Sequence, residues 1–417
     1  MKKLSRLAQQ ILDEIRSYPP QFWLIASGVL ISSTGSSLIW PFQLIYISKV
    51  LGASITSSAS LIAVSSSIGL LVSLLGGAVA DKIGRKPLML MAQAVHGLAY
   101  LLMSSARTYP AFLLPMALMG VANPFYATGS DAMMADLLPA EKRSSGYSIL
   151  RMINNAGIAI GPGFGGYLVT RSYNLAFNSA AAGMLAYSLL LLFFARETLS
   201  RESRPRRAES FFSGFDRILR DKIFLAFVAV TAFGMIAPLM MWTLLALYTN
   251  QNYGLPENLY SWLPVTNALM CVFVQYFVTL FTRRFAPGKT IAAGMAVYAL
   301  GVGSVALMSS FWGFWLSMVI MTFGELILVP TASTFVANRA PDDLRGRYMS
   351  FYWLTWGLAR TLAPLVGGFI NDQIAPRAVW WSGLAFGLSS AAALLLVNAY
   401  AQRKTVSVDS ATLPDGS

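Results

Sequence analysis

Cysteine and histidine are almost absent: Cys271 and His96 are the only ones in 417 residues. One cysteine excludes an internal disulfide, and one histidine beside it excludes a zinc-type cluster. Charge is scarce too, at 12% Asp, Glu, Lys and Arg, about half the share of an ordinary soluble domain. A soluble surface cannot be covered with so few charges. The phosphate-cradling glycine loop of an ATPase is missing, as is any nucleophile constellation. Neither enzyme chemistry nor a cofactor is therefore expected, and work would draw on a gradient. No cleavable leader is evident either, because the first 20 residues are polar and close on Pro19-Pro20.

What is present is apolar, at 56% of the chain, in blocks near the ~20 residues that a spanning helix needs. They run roughly 22–47, 58–80, 88–106, 110–134, 146–169, 175–195, 223–248, 259–281, 290–309, 311–336, 348–370 and 377–400. Gly, Ser and Thr recur within them, as in helices that pack on one another in lipid. The expected fold is an all-α membrane protein, twelve transmembrane helices in two six-helix bundles. Residues 1–20 form an amphipathic segment, 21–195 the first bundle, 196–222 a cytoplasmic linker, 223–401 the second bundle and 402–417 a disordered tail. Net charge is +13, which invites a nucleic-acid reading, but its distribution argues otherwise. With the N-terminus inside, 25 of 31 Lys and Arg fall on the cytoplasmic side. That asymmetry is the positive-inside rule, so both termini are placed in the cytoplasm of an inner membrane, with lipid and not nucleic acid as the partner.

The halves repeat at an offset of 202 residues. Pro139 falls on Pro341, Arg143 on Arg345, Ser148 on Ser350, Pro162 on Pro364 and Gly165-Gly166 on Gly367-Gly368. A gapless series of this kind indicates duplication, and parallel six-helix repeats suit a carrier whose halves rock about a central site.

Two motifs are specific. After the second block stands Gly77-Ala-Val-Ala-Asp81-Lys-Ile-Gly84-Arg85-Lys86, and in the fifth Gly157-x-x-x-Gly161-Pro162-x-x-Gly165-Gly166. The first resembles the signature loop between helices two and three of the major facilitator superfamily. The second is similar to the antiporter signature of its twelve-helix drug:proton exchangers. The resemblance implies a gate in which Asp81 meets the start of helix eleven near Arg347, while Arg85 meets Asp136. It also implies a cavity lined by helices one, four, seven and ten, flanked by two, five, eight and eleven. The positions so implicated are Ser33, Ser37, Trp40, Gln43, Asn123, Tyr126, Asn154, Met235, Trp242, Asn267, Trp353 and Trp356. One departure stands out: Met116 occupies the place where many proton-coupled exporters carry an arginine four residues before a helix-four glycine, here Gly120.

Ionised groups inside spans are costly, at about 2.5–3.5 kcal/mol each on insertion scales, and so mark function. There are four: Asp131, Arg151, Glu325 and Arg360. Counted from the loops between their helices, Asp131 and Arg151 stand at equal depth near the cytoplasmic side, and Glu325 and Arg360 at equal depth near the midplane. Two ion pairs are expected, the deeper being the candidate proton switch, while His96 serves packing. The expected function is proton-coupled export of amphipathic small molecules by a monomer. The alternatives are a carrier for a sugar, siderophore or organic anion, with Arg360 binding the anion, or a lipid flippase.

Overall fold

The computed structural model describes residues 17–199, 215–341 and 344–411, so most of the amphipathic segment 1–20 and the linker core lie outside the described residues. Every regular element among the described residues is helical. In chain order they are α1 (Pro20–Ile39), a 3-10 turn (Trp40–Phe42), α2 (Gln43–Leu51), α3 (Ile55–Ile83), α4 (Arg85–Ser105), α5 (Tyr109–Leu137), α6 (Ala140–Arg171), α7 (Tyr173–Phe194) and α8 (Phe215–Arg220). There follow α9 (Lys222–Tyr253), α10 (Glu257–Tyr260), α11 (Trp262–Phe273), α12 (Gln275–Thr282), α13 (Pro287–Ser304), α14 (Phe311–Arg339), α15 (Arg345–Gln373) and α16 (Ala378–Ala411).

Nine helical spans are long and apolar enough to cross a membrane among the described residues, and a tenth is formed by α10–α11 with α12 across a 57° bend. The remaining two of the twelve are α6 and α15, of 32 and 29 residues. Both have the length, but charges at their ends and Arg151 and Arg360 within them dilute their hydropathy. One expected boundary is corrected: α16 continues to Ala411, so residues 402–411, expected as a disordered tail, are helical.

Sequence chemistry sets the helix ends. Pro20 opens α1, where its missing N–H is no loss. Ser172 and Asp221 cap α7 and α9 by accepting from Leu175 N and Phe224 N, at 3.4 and 3.1 Å. Gly52 ends α2 at φ 63° and Gly254 ends α9 at φ 64°, a left-handed stop that glycine adopts without strain. These glycines are 202 residues apart, so the duplication extends to a pair of turns outside the matched series.

The chain divides into two compact units, Met1–Trp40 with Ser67–Arg207, and Pro41–Ser66 with Ala208–Ser417. In the first, α1 packs on α6 and α7, and α4 on α5 and α7. In the second, α9 packs on α15 and α16, and α13 on α14 and α16. These are the same pairings one repeat apart.

The segment 41–66, expected in the first bundle, groups with the second unit, and polar contacts explain why. Thr56 N and Oγ1 both donate to Asp372 Oδ2, at 2.8 and 2.7 Å. Gln251 Nε2 donates to Ser48 Oγ at 2.9 Å, and Lys49 lies 3.7 Å from Glu257.

Candidate functional site

The antiporter motif is a packing seam. A Cβ on Gly161 would lie 2.8 Å from the Thr34 carbonyl oxygen and 3.0 Å from the Ser37 carbonyl carbon. A Cβ on Gly157 would lie 3.0 Å from Thr34 N, and one on Gly165 2.7 Å from the Leu38 carbonyl carbon. Helices α1 and α6 therefore touch backbone to backbone along three successive turns, which only glycine permits. Ser33 and Ser37, expected to line a cavity, are buried in this seam, and Ser33 Oγ donates to Val29 O at 2.7 Å.

The loop motif builds a charged knot at the end of the first unit that carries the basic loops. Arg85 Nε donates to Asp136 Oδ2 at 3.1 Å, its Nη2 lies 3.1 Å from Asp81, and its Nη1 donates to Ala80 O at 3.2 Å. Glu197 was not singled out from the sequence, yet it organises the knot. Its carboxylate accepts from the N–H groups of Arg85 and Lys86 at 3.1 and 3.0 Å, which places a negative charge on the N-terminus of α4. Gly84 is needed because a Cβ there would sit 2.9 Å from the Glu197 carboxyl carbon. Lys86 Nζ donates to Leu192 O at 2.9 Å. Gly77, by contrast, meets nothing within 4 Å, and the close approach falls on Gly76, 3.3 Å from Thr128 Cβ.

The second unit lacks that motif and uses a different knot. Arg339 Nε and Nη2 grip Asp221 Oδ2 and Oδ1 at 2.9 and 2.6 Å, the two-point geometry that suits guanidinium and carboxylate. Burial alone would raise the Asp221 carboxyl, but the hydrogen bonds from Arg339 and Phe224 N hold it below its ordinary 3.8. Burial would also raise Asp372, which the Thr56 N–H and hydroxyl hold below 3.8.

The in-span charges do not pair as expected. Asp131 and Arg151 are both exposed and form no ion pair among the described residues, nor do Glu325 and Arg360. Helices that are neighbours in sequence are not main packing partners here. Helix α5 lies mainly on α4 while α6 lies on α1, and α14 lies on α13 while α15 lies on α9. Charges on helices adjacent in sequence thus meet different neighbours. Asn123 and Asp131 share the accessible face of α5, and Tyr147 Oη, from α6, donates to the Asp131 backbone oxygen at 3.0 Å. Trp353 and Arg360, seven residues apart, share the accessible face of α15.

Glu325 is instead held within the second unit. Its Oε2 accepts from Asn267 Nδ2 at 2.9 Å, and Asn267 Nδ2 also donates to Thr322 Oγ1 at 3.0 Å. Tyr298 from α13 faces the carboxylate as well. The other cavity candidates divide by exposure. Gln43, Met235 and Asn267 are buried, Trp40, Tyr126, Asn154, Trp242 and Trp356 are half-buried, and Asn123 and Trp353 are exposed. Arg347 lies half-buried in the first turn of α15. His96 is buried and stacked on Tyr100, with ring centroids 5.4 Å apart. A buried polar contact that sequence reading missed joins α4 to α1, where Gln93 Nε2 donates to Ser32 Oγ at 2.9 Å.

This architecture has counterparts. A sodium, lithium, potassium/proton antiporter of Planococcus maritimus is 25% identical over 369 residues, covering 81% of this chain and 86% of that protein. The multidrug resistance protein MdtH of Yersinia pestis is 24% identical over 300 residues, covering 71% and 73%. Among solved structures, the nucleoside transporter NupG superposes with a TM-score of 0.77 at 12% identity, covering 91% of this chain and 99% of that one. The profile of the Major Facilitator Superfamily matches residues 25–363 and, separately, 232–412, as a duplicated chain allows. On the first of those matches, which takes in both signature motifs, this multi-pass membrane transporter belongs to the Major Facilitator Superfamily.

Proposed function

We propose that the protein is a secondary transporter that exports amphipathic small molecules in exchange for protons, with Glu325 as the coupling carboxylate. The observation that carries the reading is an acidic side chain inside a membrane span, held by the neutral amide of Asn267 at 2.9 Å and not by the Arg360 guanidinium. A carboxylate so placed is charged or neutral according to its surroundings, because burial favours the neutral acid and hydrogen bonds to the charged form favour the anion. Alternating access changes those surroundings, and a proton would be taken up on one side and released on the other. The names of two relatives, an antiporter exchanging cations for protons and a multidrug resistance protein, are in keeping with it. The positive-inside distribution supports an orientation with both termini in the cytoplasm, in keeping with an inner-membrane protein. There Asp81 and Arg85 would serve the cytoplasmic gate, with Arg347 as the partner of Asp81.

The test is flux of lipophilic cations into proteoliposomes under an imposed pH gradient. Glu325→Gln is expected to abolish gradient-driven accumulation while leaving purified yield and substrate binding in place. Undiminished accumulation by this variant would overturn the assignment.

A second reading rests on Arg360, a residue with accessible surface within a span whose guanidinium is a recognition group for carboxylate or phosphate. It makes the substrate an organic anion. Saturable quenching of Trp353 fluorescence by organic acids, lost in Arg360→Gln, would favour it over the cation exporter.

A further inference from the structure

The 57° bend in the eighth span falls between α11 and α12, at Val274. Sharp bends in helices have identifiable causes: proline, glycine or serine pairs, an inserted residue, or a side chain wedged into the ladder. The stretch Met270-Cys271-Val272-Phe273-Val274-Gln275-Tyr276 contains no proline, glycine or serine. Val274 keeps right-handed helical angles, φ −101° and ψ −26°, and its N–H still reaches the Met270 carbonyl at 2.8 Å. Local sequence does not demand the bend, so tertiary contacts must hold it.

Two amides are placed to do so, one on each side of the break, and both grip a single stretch of α14. Before it, Asn267 Nδ2 donates to Glu325 Oε2 and to Thr322 Oγ1, at 2.9 and 3.0 Å. After it, Gln275 Nε2 donates to the Leu326 backbone oxygen at 3.0 Å and to Thr279 Oγ1 at 2.9 Å. The orientation of Asn267 is forced. Thr322 Oγ1 gives its own proton to Met318 O at 2.7 Å, so toward Asn267 it only accepts. The asparagine nitrogen therefore faces both acceptors, and its hydrogen bond to Glu325 is one that an ionised carboxylate receives best.

We infer that Asn267 is the positioning residue that reads the protonation of Glu325 and passes it to the break in helix eight. The inference rests on the proton-coupling reading above and names how that site is regulated. When Glu325 takes a proton from water, an O–H bond forms, the carboxylate charge vanishes and the charge-assisted bond from Asn267 weakens. The Gln275 bond goes to a backbone carbonyl and is indifferent to that proton. The α11 segment is thus loosened while α12 stays anchored, and the angle between them follows the proton.

Tyr298 from α13 is a titratable group that faces Glu325, and Tyr298 in turn is faced by Cys271 of α11 and by Trp242 of α9, which does not titrate. From α12 the grip is the neutral Gln275, and Arg360 of α15 makes no ion pair with Glu325 among the described residues.

The experiment combines the pH profile of transport with the geometry of the break. In proteoliposomes, Asn267→Ala removes a donor to the ionised form, so Glu325 binds its proton more tightly. The midpoint of the pH profile is expected to move to higher pH by about one unit. Asn267→Ser, which keeps a shorter donor, is expected to move it by less, and it carries the test if the alanine variant does not fold. Gln275→Leu is expected to leave the midpoint in place but to remove the pH response of the bend. That bend is read from the distance between spin labels at Trp262→Cys and Phe281→Cys, both exposed, in a Cys271→Ser background. The distance is expected to change across the transport midpoint, and in Glu325→Gln to hold its acid value at every pH.

An unshifted midpoint in the folded Asn267 variants, or a distance blind to pH with Glu325 intact, overturns the inference. If Glu325→Gln loses coupling while the Asn267 variants behave as wild type, only the role of Asn267 falls. If Glu325→Gln transports normally, the proton site itself falls with it.

Discussion

Alanine placed at two glycines of the signature motifs should give opposite results. At Gly161 the new Cβ would lie 2.8 Å from the Thr34 carbonyl oxygen and 3.0 Å from the Ser37 carbonyl carbon. Relaxed contacts of this kind lie near 3.5 Å or beyond, so α1 and α6 must separate by about 0.5–0.7 Å at that turn. Backbone atoms on both sides prevent a rotamer change from relieving the clash. A radial gap of about 0.5–1 Å forfeits a quarter to a half of each contact's attraction, and overpacking of this type costs about 1–3 kcal/mol. Alanine's better helix propensity, about 1 kcal/mol over glycine, offsets part of this. A net loss of up to about 2 kcal/mol remains. Gly77→Ala meets nothing within 4 Å, so only the propensity gain applies to its stability. The assay is thermal unfolding of the detergent-purified protein, followed by size-exclusion recovery after heating. Gly161→Ala should melt several degrees below wild type, and Gly77→Ala at or slightly above it. Equal melting of the two variants would refute the claim that the antiporter motif is a backbone seam.

Two further substitutions probe the polar ties of the second unit. Asp221→Asn removes the charge that Arg339 grips at two points and should lower stability by about 1–3 kcal/mol. Because hydrogen bonding holds the folded carboxyl below its ordinary 3.8, wild-type stability from this group is full above that value and fades as pH falls through the lower folded value. Melting curves should therefore lose stability below about pH 4 in wild type and less so in Asp221→Asn. Asp372→Ala leaves the Thr56 N–H and hydroxyl without their acceptor and should destabilise by about 1 kcal/mol, read as faster hydrogen exchange at the start of α3. Unchanged exchange there would mean that water replaces the carboxylate without loss.

Much of the fold was legible because bilayer thickness and duplication write themselves into the chain. Spans must be about 20 residues long and apolar, and a copied segment retains spaced prolines and glycines. One contact of the loop motif was legible from its resemblance, which set Arg85 against Asp136, and the two lie 3.1 Å apart. What failed were inferences that need azimuth. Counting residues from a loop addresses depth alone, but a helix also has a facing direction. That direction is set by neighbours distant in sequence, here α11 and α13 for Glu325. The carboxylates that organise helix ends, Glu197, Asp221 and Asp372, were invisible for a related reason. Each acts on backbone N–H groups or a guanidinium brought near only by folding, and none stands in a motif.

The bend in helix eight sharpens this distinction between what a chain specifies locally and what it specifies through contacts. A proline kink is present in the unfolded sequence and persists in every conformer. On the inference above, a bend without proline or glycine depends on contacts with α14, those of Asn267 and Gln275 beside the Trp315–Thr266 hydrogen bond at 2.9 Å, and would respond to a change in one acceptor. Prolines do stand inside α5, α6, α9, α14 and α15, where any kink would come from a missing N–H that a proton cannot restore. The helix that contacts the in-span carboxylate has Pro264 only in its first turn, where proline fits, and none at its break. A transporter needs at least one element whose shape is conditional. In this chain the conditional shape sits one hydrogen bond from the ionisable group proposed to govern it, a proximity that no periodicity or motif in the sequence announces.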